Sequence, residues 1–201
     1  LGALLPSRRA AAKGEIPIVP GINRFKGEVT INGKPAELGM LVREGDVIVT
    51  GRGAEAVFVV GADAFLQRER SEVRFGSDAA RALRILTGGL LSVFGKGERR
   101  LVVSTATIGI RGTACYVEVE EQRSYFCLCY GEAEIRPSAD PSQRRVVKTQ
   151  HHDLPMYLGG TPGAPAFESA KVINHTDAEL VFLEGLVGRT PPFEGRNDYR
   201  Y

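Results

Sequence analysis

From position 25 onward, short stretches of alternating apolar and polar residues are separated by turn residues at close spacing. Lys26-Gly27-Glu28-Val29-Thr30-Ile31 alternates and runs into Asn32-Gly33. That dipeptide adopts the left-handed backbone of a tight two-residue turn, so a hairpin is expected to open the domain. Glu44-Gly45-Asp46 leads into Val47-Ile48-Val49-Thr50, and Gly51-Arg52-Gly53 leads into an apolar run over 54–60, giving two more strands. Further runs cover 64–67 and 71–75, and 82–86 meets 90–94 across Gly88-Gly89. Residues 78–86 could instead begin as a short helix capped by Ser77 or Asp78, because Ala-Ala-Arg-Ala-Leu-Arg favours helix; a strand from about Ala82 is preferred. Runs at 101–103 and 107–110 precede 115–119, which pairs with 125–130 through a short connection at Glu121 and Gln122. This spacing predicts a mainly β fold: an antiparallel sandwich, roll or solenoid-like domain.

After Ile135 the texture changes. Residues 137–143 read as a polar loop, 144–148 as a possible last strand, and 155–165, rich in Gly and Pro, as a surface excursion. Thr176-Asp177-Ala178-Glu179 spells a capping box, followed by Leu180, Leu183 and Val187 on one face and Gly188 at the C-terminal cap, so a helix is expected over about 177–187. Its apolar stripe requires burial, on the sheet or on a partner subunit. The tail after Pro191 is expected to be mobile. The chain thus divides into a leader remnant and linker (1–24), a β domain (25–136), and a C-terminal extension ending in one helix (137–201).

Composition narrows the function. The 201 residues carry 26 Lys+Arg against 24 Asp+Glu with no dense basic run, so the electrostatic footprint of a nucleic-acid binder is missing. No apolar stretch approaches the ~18 residues of a transmembrane segment. The opening Leu1-Gly2-Ala3-Leu4-Leu5-Pro6 and the Ala-rich stretch behind Arg8-Arg9 resemble the end of an export signal, so a periplasmic or otherwise exported location is expected. Neither a phosphate-binding Gly-x-x-x-x-Gly-Lys-Ser/Thr loop nor a Gly-x-Ser-x-Gly nucleophile elbow is present, and the expectation is a nonenzymatic protein.

The candidate chemistry lies in three cysteines and three histidines. Strand alternation places Cys115 with Val117 and Val119, and puts Cys127 and Cys129 on the face opposite Phe126 and Leu128. Cys115 then lies in the core, away from the other two, unless a β-bulge changes the register. Two residues apart on an extended strand, Cys127 and Cys129 have Cα atoms about 6.6 Å apart at ~3.3 Å rise per residue, near the limit of disulfide geometry. They are awkward disulfide partners and good ligand partners. The face they occupy needs a cover, and the extension after Ile135 is the segment left to supply it. Its histidines complete a candidate site for zinc, copper or iron made of Cys127, Cys129, His151, His152 and His175, with His151 or His152 expected nearest the sulfurs and His175 the weaker candidate. The spacing matches no standard zinc module.

Between Gly27 and Ile135 the chain resembles the FecR domain, the envelope-side domain of ferric-citrate-type signalling regulators. The resemblance is carried by Gly27-Glu28-Val29 with Asn32-Gly33, by Gly39 followed by Glu44-Gly45-Asp46, by Thr50-Gly51, and by the runs around Gly88-Gly89. Above all it rests on Thr105 through Arg111-Gly112-Thr113 leading to Tyr130-Gly131-Glu132. Cys127-Leu128-Cys129-Tyr130-Gly131, His151-His152-Asp153 and Asn174-His175-Thr176-Asp177 look like those of freestanding members. The resemblance implies an exported binding or sensing module acting in signalling through an envelope protein partner. In signalling members a cytoplasmic segment holds a sigma factor and a transmembrane helix follows it; no such helix stands in the two dozen residues before the first strand, so that role is not carried over. Arg111, Gly112 and Thr113 are expected to be structural, since a Gly at a strand junction marks backbone geometry.

Overall fold

The computed structural model describes residues 17–76, 82–161 and 163–195. Residues 1–16 of the expected leader remnant and linker (1–24) and the alternative helix cap at Ser77 or Asp78 lie outside the described residues.

Among the described residues, fourteen strands and one helix follow in chain order: β1 (Gly21–Lys26), β2 (Val29–Ile31), β3 (Lys34–Pro35), β4 (Val47–Thr50), β5 (Glu55–Val60), β6 (Asp63–Gln67), β7 (Glu72–Phe75), β8 (Ala82–Val93), β9 (Glu98–Val102), β10 (Ala106–Val119), β11 (Arg123–Pro137), β12 (Arg145–Thr149), β13 (Met156–Gly159), β14 (Phe167–Ser169) and α1 (Asp177–Leu186). The strands form one connected sheet that is not closed into a barrel. The expected opening hairpin is β2–β3, with Asn32 and Gly33 both at positive φ.

Among the described residues, every strand pairing is antiparallel except one. β8 and β9 both run antiparallel to β10, so they point the same way, and where they meet, from Ala82↔Arg100 to Arg84↔Val102, the pairing is parallel. The long strands change partners along their length. β10 pairs with β9 over Thr107–Arg111 and with β8 over Ala114–Val119, the exchange falling at a bulge between Arg111 and Ala114. β11 pairs with β13 at its start and with β12 nearer its end.

This layout buries both faces of the central strands. Ile22, Phe58, Phe65, Ile85, Leu90, Val117, Phe126 and Leu128 belong to one core, around which Phe58 and Phe65 stack and Phe75 meets both edge-on. Their sequence neighbours Val57, Leu66, Leu91, Tyr116, Tyr125, Cys127 and Cys129 point the other way, into a second core closed by Leu180, Leu183 and Val187 of the helical segment. The helix starts at a complete capping box, Thr176 with Glu179, and its apolar stripe is buried on this sheet against β6 and β8. Among the described residues, no helix is long and apolar enough to cross a membrane.

Several expectations are corrected. Gly88-Gly89 is not a turn: β8 passes straight through it. A Cβ at Gly88 would lie 2.1 Å from Ser71 Oγ, and one at Gly89 would lie 2.3 Å from the Tyr116 hydroxyl, so these glycines serve close approach rather than reversal. A strand at Gly21–Lys26, ahead of the expected start, pairs with β5. The surface excursion over 155–165 contains β13, whose Met156 and Leu158 are buried, and the extension as a whole adds three strands to the sheet. The tail is anchored where it is described, because Phe193 is buried in the second core.

A cysteine and histidine cluster beneath the C-terminal helix

Three separate segments converge on the second core. The first is β11, where alternation turns Cys127 and Cys129 toward the helix side while Phe126 and Leu128 fill the opposite core. The second is the turn between β12 and β13. The Asp153 carboxylate accepts from the Thr149 hydroxyl (2.6 Å) and the Gln150 N–H (3.0 Å), which closes the turn. The His152 N–H donates to the Cys129 carbonyl (3.0 Å), which docks it on β11. His152 takes a left-handed backbone, φ 51°, a conformation that disfavours a non-glycine residue and is met where the surroundings over-determine it. The third is the segment entering α1, which is also left-handed at Asn174 (φ 54°). Asn174 Nδ2 donates to Glu118 (2.7 Å), and Arg68 donates both to the Asn174 carbonyl (2.7 Å) and to Glu179 (2.8 Å).

The result is a compact group. Cys127 Sγ lies 3.3 Å from His152 Nδ1, and His152 Nδ1 lies 3.1 Å from His175 Nε2. One ligand-type atom from each of Cys127, Cys129, His152 and His175 lies within 4.8 Å of the others, and all four residues are buried. The far side of each imidazole is engaged: His152 Nε2 meets Asp177 Oδ1 at 3.2 Å, and His175 Nδ1 meets the Ile173 carbonyl at 2.6 Å. The Tyr116 ring stacks on His175 with centroids 4.9 Å apart.

The electrostatics follow from this packing. The Cys127 thiol is held well below the ordinary thiol range, first by the hydrogen bond with Cys129 and then by those with His152 and His175, which outweigh its burial. Burial, reinforced by Cys127, pushes Cys129 well above it. Burial works against a charged His152, but Cys127 and then Asp177 overcome it and raise its pKa. Cys115, enclosed in the other core opposite Leu128, is raised by burial, and all three cysteines are free thiols. The bulge beside Cys115 does not swing it toward the other two.

The structure thus brings together four of the five candidate ligands and rearranges their order. His152 and His175 face the sulfurs. His151, expected to be one of the nearer histidines, points its Nε2 at both oxygens of Asp177 (2.9 and 3.0 Å) and rests on Phe193. Both rings of the pair reach Asp177 through Nε2, but it is His152 whose Nδ1 faces the sulfurs, and the α1 entry delivers His175 from another direction. Asp177 and Tyr116 escape a sequence reading. Asp177 is legible there only as part of a capping box, and Tyr116 only as an alternating strand residue.

Arg111, Gly112 and Thr113 lie elsewhere. Arg111 is exposed and paired with Glu98 (3.1 Å), while Thr113 is buried against Gly131, where a Cβ would lie 2.5 Å from the Thr113 side chain. The motif keeps two bent strands in close register. Beside it lies an open groove of about 590 Å³ between β9, β10 and β11, where Arg100, Arg111 and Arg136 alternate with Glu98, Glu132 and Glu134. Such a mixed-charge surface suits polar contact rather than enclosure of a small apolar molecule.

No family model matches the chain, and no curated protein matches it. Among solved structures, it is similar to two crystal structures of a Parabacteroides distasonis ATCC 8503 protein inferred to be an anti-sigma factor, at 1.65 and 2.50 Å. Each has a TM-score of 0.53 and 11% identity over 69% of this chain. The match spans 65% and 64% of those chains, just under two thirds of their length, and at that identity the likeness is one of fold.

Proposed function

We propose that this chain is a nonenzymatic, exported regulatory module of FecR type that acts in envelope signalling through a protein partner. The observation supporting this reading is that a chain carrying the FecR-like order of motifs folds like two structures described as anti-sigma factors. Such a module works by presenting surface, and the open groove beside Arg111 offers interleaved charges that a partner of complementary charge can match. The reading is tested by deleting the gene in its organism of origin and profiling transcripts with and without complementation by the full chain. A regulatory module changes a confined set of transcripts, and complementation restores them. An unchanged transcript profile overturns the proposal.

A further inference from the structure

We propose that Cys127, Cys129, His152 and His175 together hold one tetrahedral zinc ion, which fastens the C-terminal extension to β11. One nitrogen of each imidazole faces inward. His175 Nδ1 lies 2.6 Å from the Ile173 carbonyl, an acceptor only, so Nδ1 carries the proton and Nε2 presents a lone pair. His152 Nε2 lies 3.2 Å from the Asp177 carboxylate, which places a proton there and directs Nδ1 inward. These two inward nitrogens are 3.1 Å apart, and the Cys127 sulfur is 3.3 Å from one of them. With the protons on the outer nitrogens, the two inward nitrogens face each other as lone pairs with no proton between them. A divalent cation at the centre satisfies both rings and both sulfurs at once.

The dimensions agree. Bonds of ~2.0–2.1 Å to nitrogen and ~2.3 Å to sulfur in a tetrahedron separate the ligand atoms by roughly 3.3–3.8 Å. The two measured separations fall at or just below that range, and all four atoms lie within 4.8 Å of one another, so small side-chain rotations complete the site. Two thiolates neutralise the ion, which removes most of the penalty of burying a divalent charge. A sulfur-and-imidazole set of four in tetrahedral array selects zinc over the hard cations. Because every ligand is buried, the site is closed, as in structural rather than catalytic zinc centres. The surroundings are those of a ligated histidine pair: Asp177 orients His152, the Ile173 carbonyl orients His175, and Tyr116 stacks on it. His151 is not among the four residues whose ligand atoms converge; it meets Asp177 through Nε2, and the contact of Asp177 with His152 assigns Asp177 as a positioning residue.

The regulatory reading does not enter the test. The full chain is purified without an affinity tag and its metal content measured by mass spectrometry. About one zinc per chain is expected. Zinc is then removed by chelation and cobalt(II) titrated in, with the sulfur-to-cobalt charge-transfer bands and intense d–d bands of a tetrahedral site expected to saturate at one equivalent. Cys127→Ser and His175→Gln are expected to bind less than about one tenth of an equivalent, while Cys115→Ser and His151→Gln retain the full amount. Asp177→Asn is expected to weaken zinc affinity by about 10- to 100-fold without changing the cobalt spectrum. Where a ligand variant fails to fold, the cobalt titration of the unaltered chain decides. Wild-type protein lacking both zinc and tetrahedral cobalt bands overturns the proposal, as does full zinc binding by Cys127→Ser and His175→Gln.

Discussion

The orientation of α1 can be tested by truncating two adjacent side chains. Leu183 is fully buried in the second core, whereas Phe182, the preceding residue, is 38% exposed, with the Arg24 guanidinium 5.0 Å above its ring. Leu183→Ala removes a buried isobutyl group and leaves a cavity against β6 and β8, costing about 3 kcal/mol within the 2–5 kcal/mol seen for such truncations. For a chain of this size that lowers Tm by roughly 6–12 °C. Phe182→Ala forfeits mainly a half-exposed ring and one exposed cation–π contact, so about 1 kcal/mol is expected, or some 2–4 °C. Urea and thermal unfolding of the two variants, read by circular dichroism, measure the difference. If Phe182→Ala destabilises as much as Leu183→Ala, or if Leu183→Ala costs under about 1 kcal/mol, the helix does not pack by the Leu180-Leu183-Val187 stripe.

Two further outcomes follow from the buried polar and backbone geometry. Asp63 holds Arg99 through two hydrogen bonds (2.7 and 3.0 Å) and accepts from the Gly95 N–H (2.8 Å), so Asp63→Ala strands a buried guanidinium. It is expected to cost about 3–5 kcal/mol in urea unfolding, largely restored in Asp63→Leu with Arg99→Met; a cost under about 1 kcal/mol, or no restoration, refutes the pairing. Gly131→Ala forces a methyl group into Thr113 at a positive-φ position and is expected to cost about 2 kcal/mol or more, whereas exposed Arg111→Ala changes stability by less than about 0.5 kcal/mol. The reverse order in thermal melts would show that Arg111 carries the structural weight of the motif.

Much of the fold is legible in the residue pattern. The period-two alternation identifies the strands, and Asn32-Gly33 marks the opening hairpin. The same alternation separates Cys115 from Cys127 and Cys129, because a strand residue's face depends only on its parity within the strand. The helix is equally plain, since the capping box from Thr176 to Glu179 and the Leu180-Leu183-Val187 stripe are local features that tertiary contacts did not need to override. Where the reading failed, the decisive contact was remote. Gly88-Gly89 has the composition of a turn, but its glycines make room for Ser71 and Tyr116, residues distant in sequence. β13 hides in a Gly- and Pro-rich stretch because β11 supplies its hydrogen bonds.

The site divides along the same line. That two cysteines share a strand face, and that the extension after Ile135 must cover it, follows from the sequence by itself, through strand geometry and the need to bury exposed thiols. Which histidines complete the cluster does not follow. His151 and His152 are neighbours in the chain and equivalent as letters, but the turn closed by Thr149 and Asp153 and the left-handed backbone at His152 set both rings against Asp177 and turn the Nδ1 of His152 to Cys127. His175 reaches the sulfurs because α1 packs its apolar stripe on the sheet and carries its own N-terminal entry there with it. Parity and capping are properties of a few consecutive residues, whereas the convergence of three segments on one point depends on how the two cores are filled, and that was decided by the tertiary structure alone.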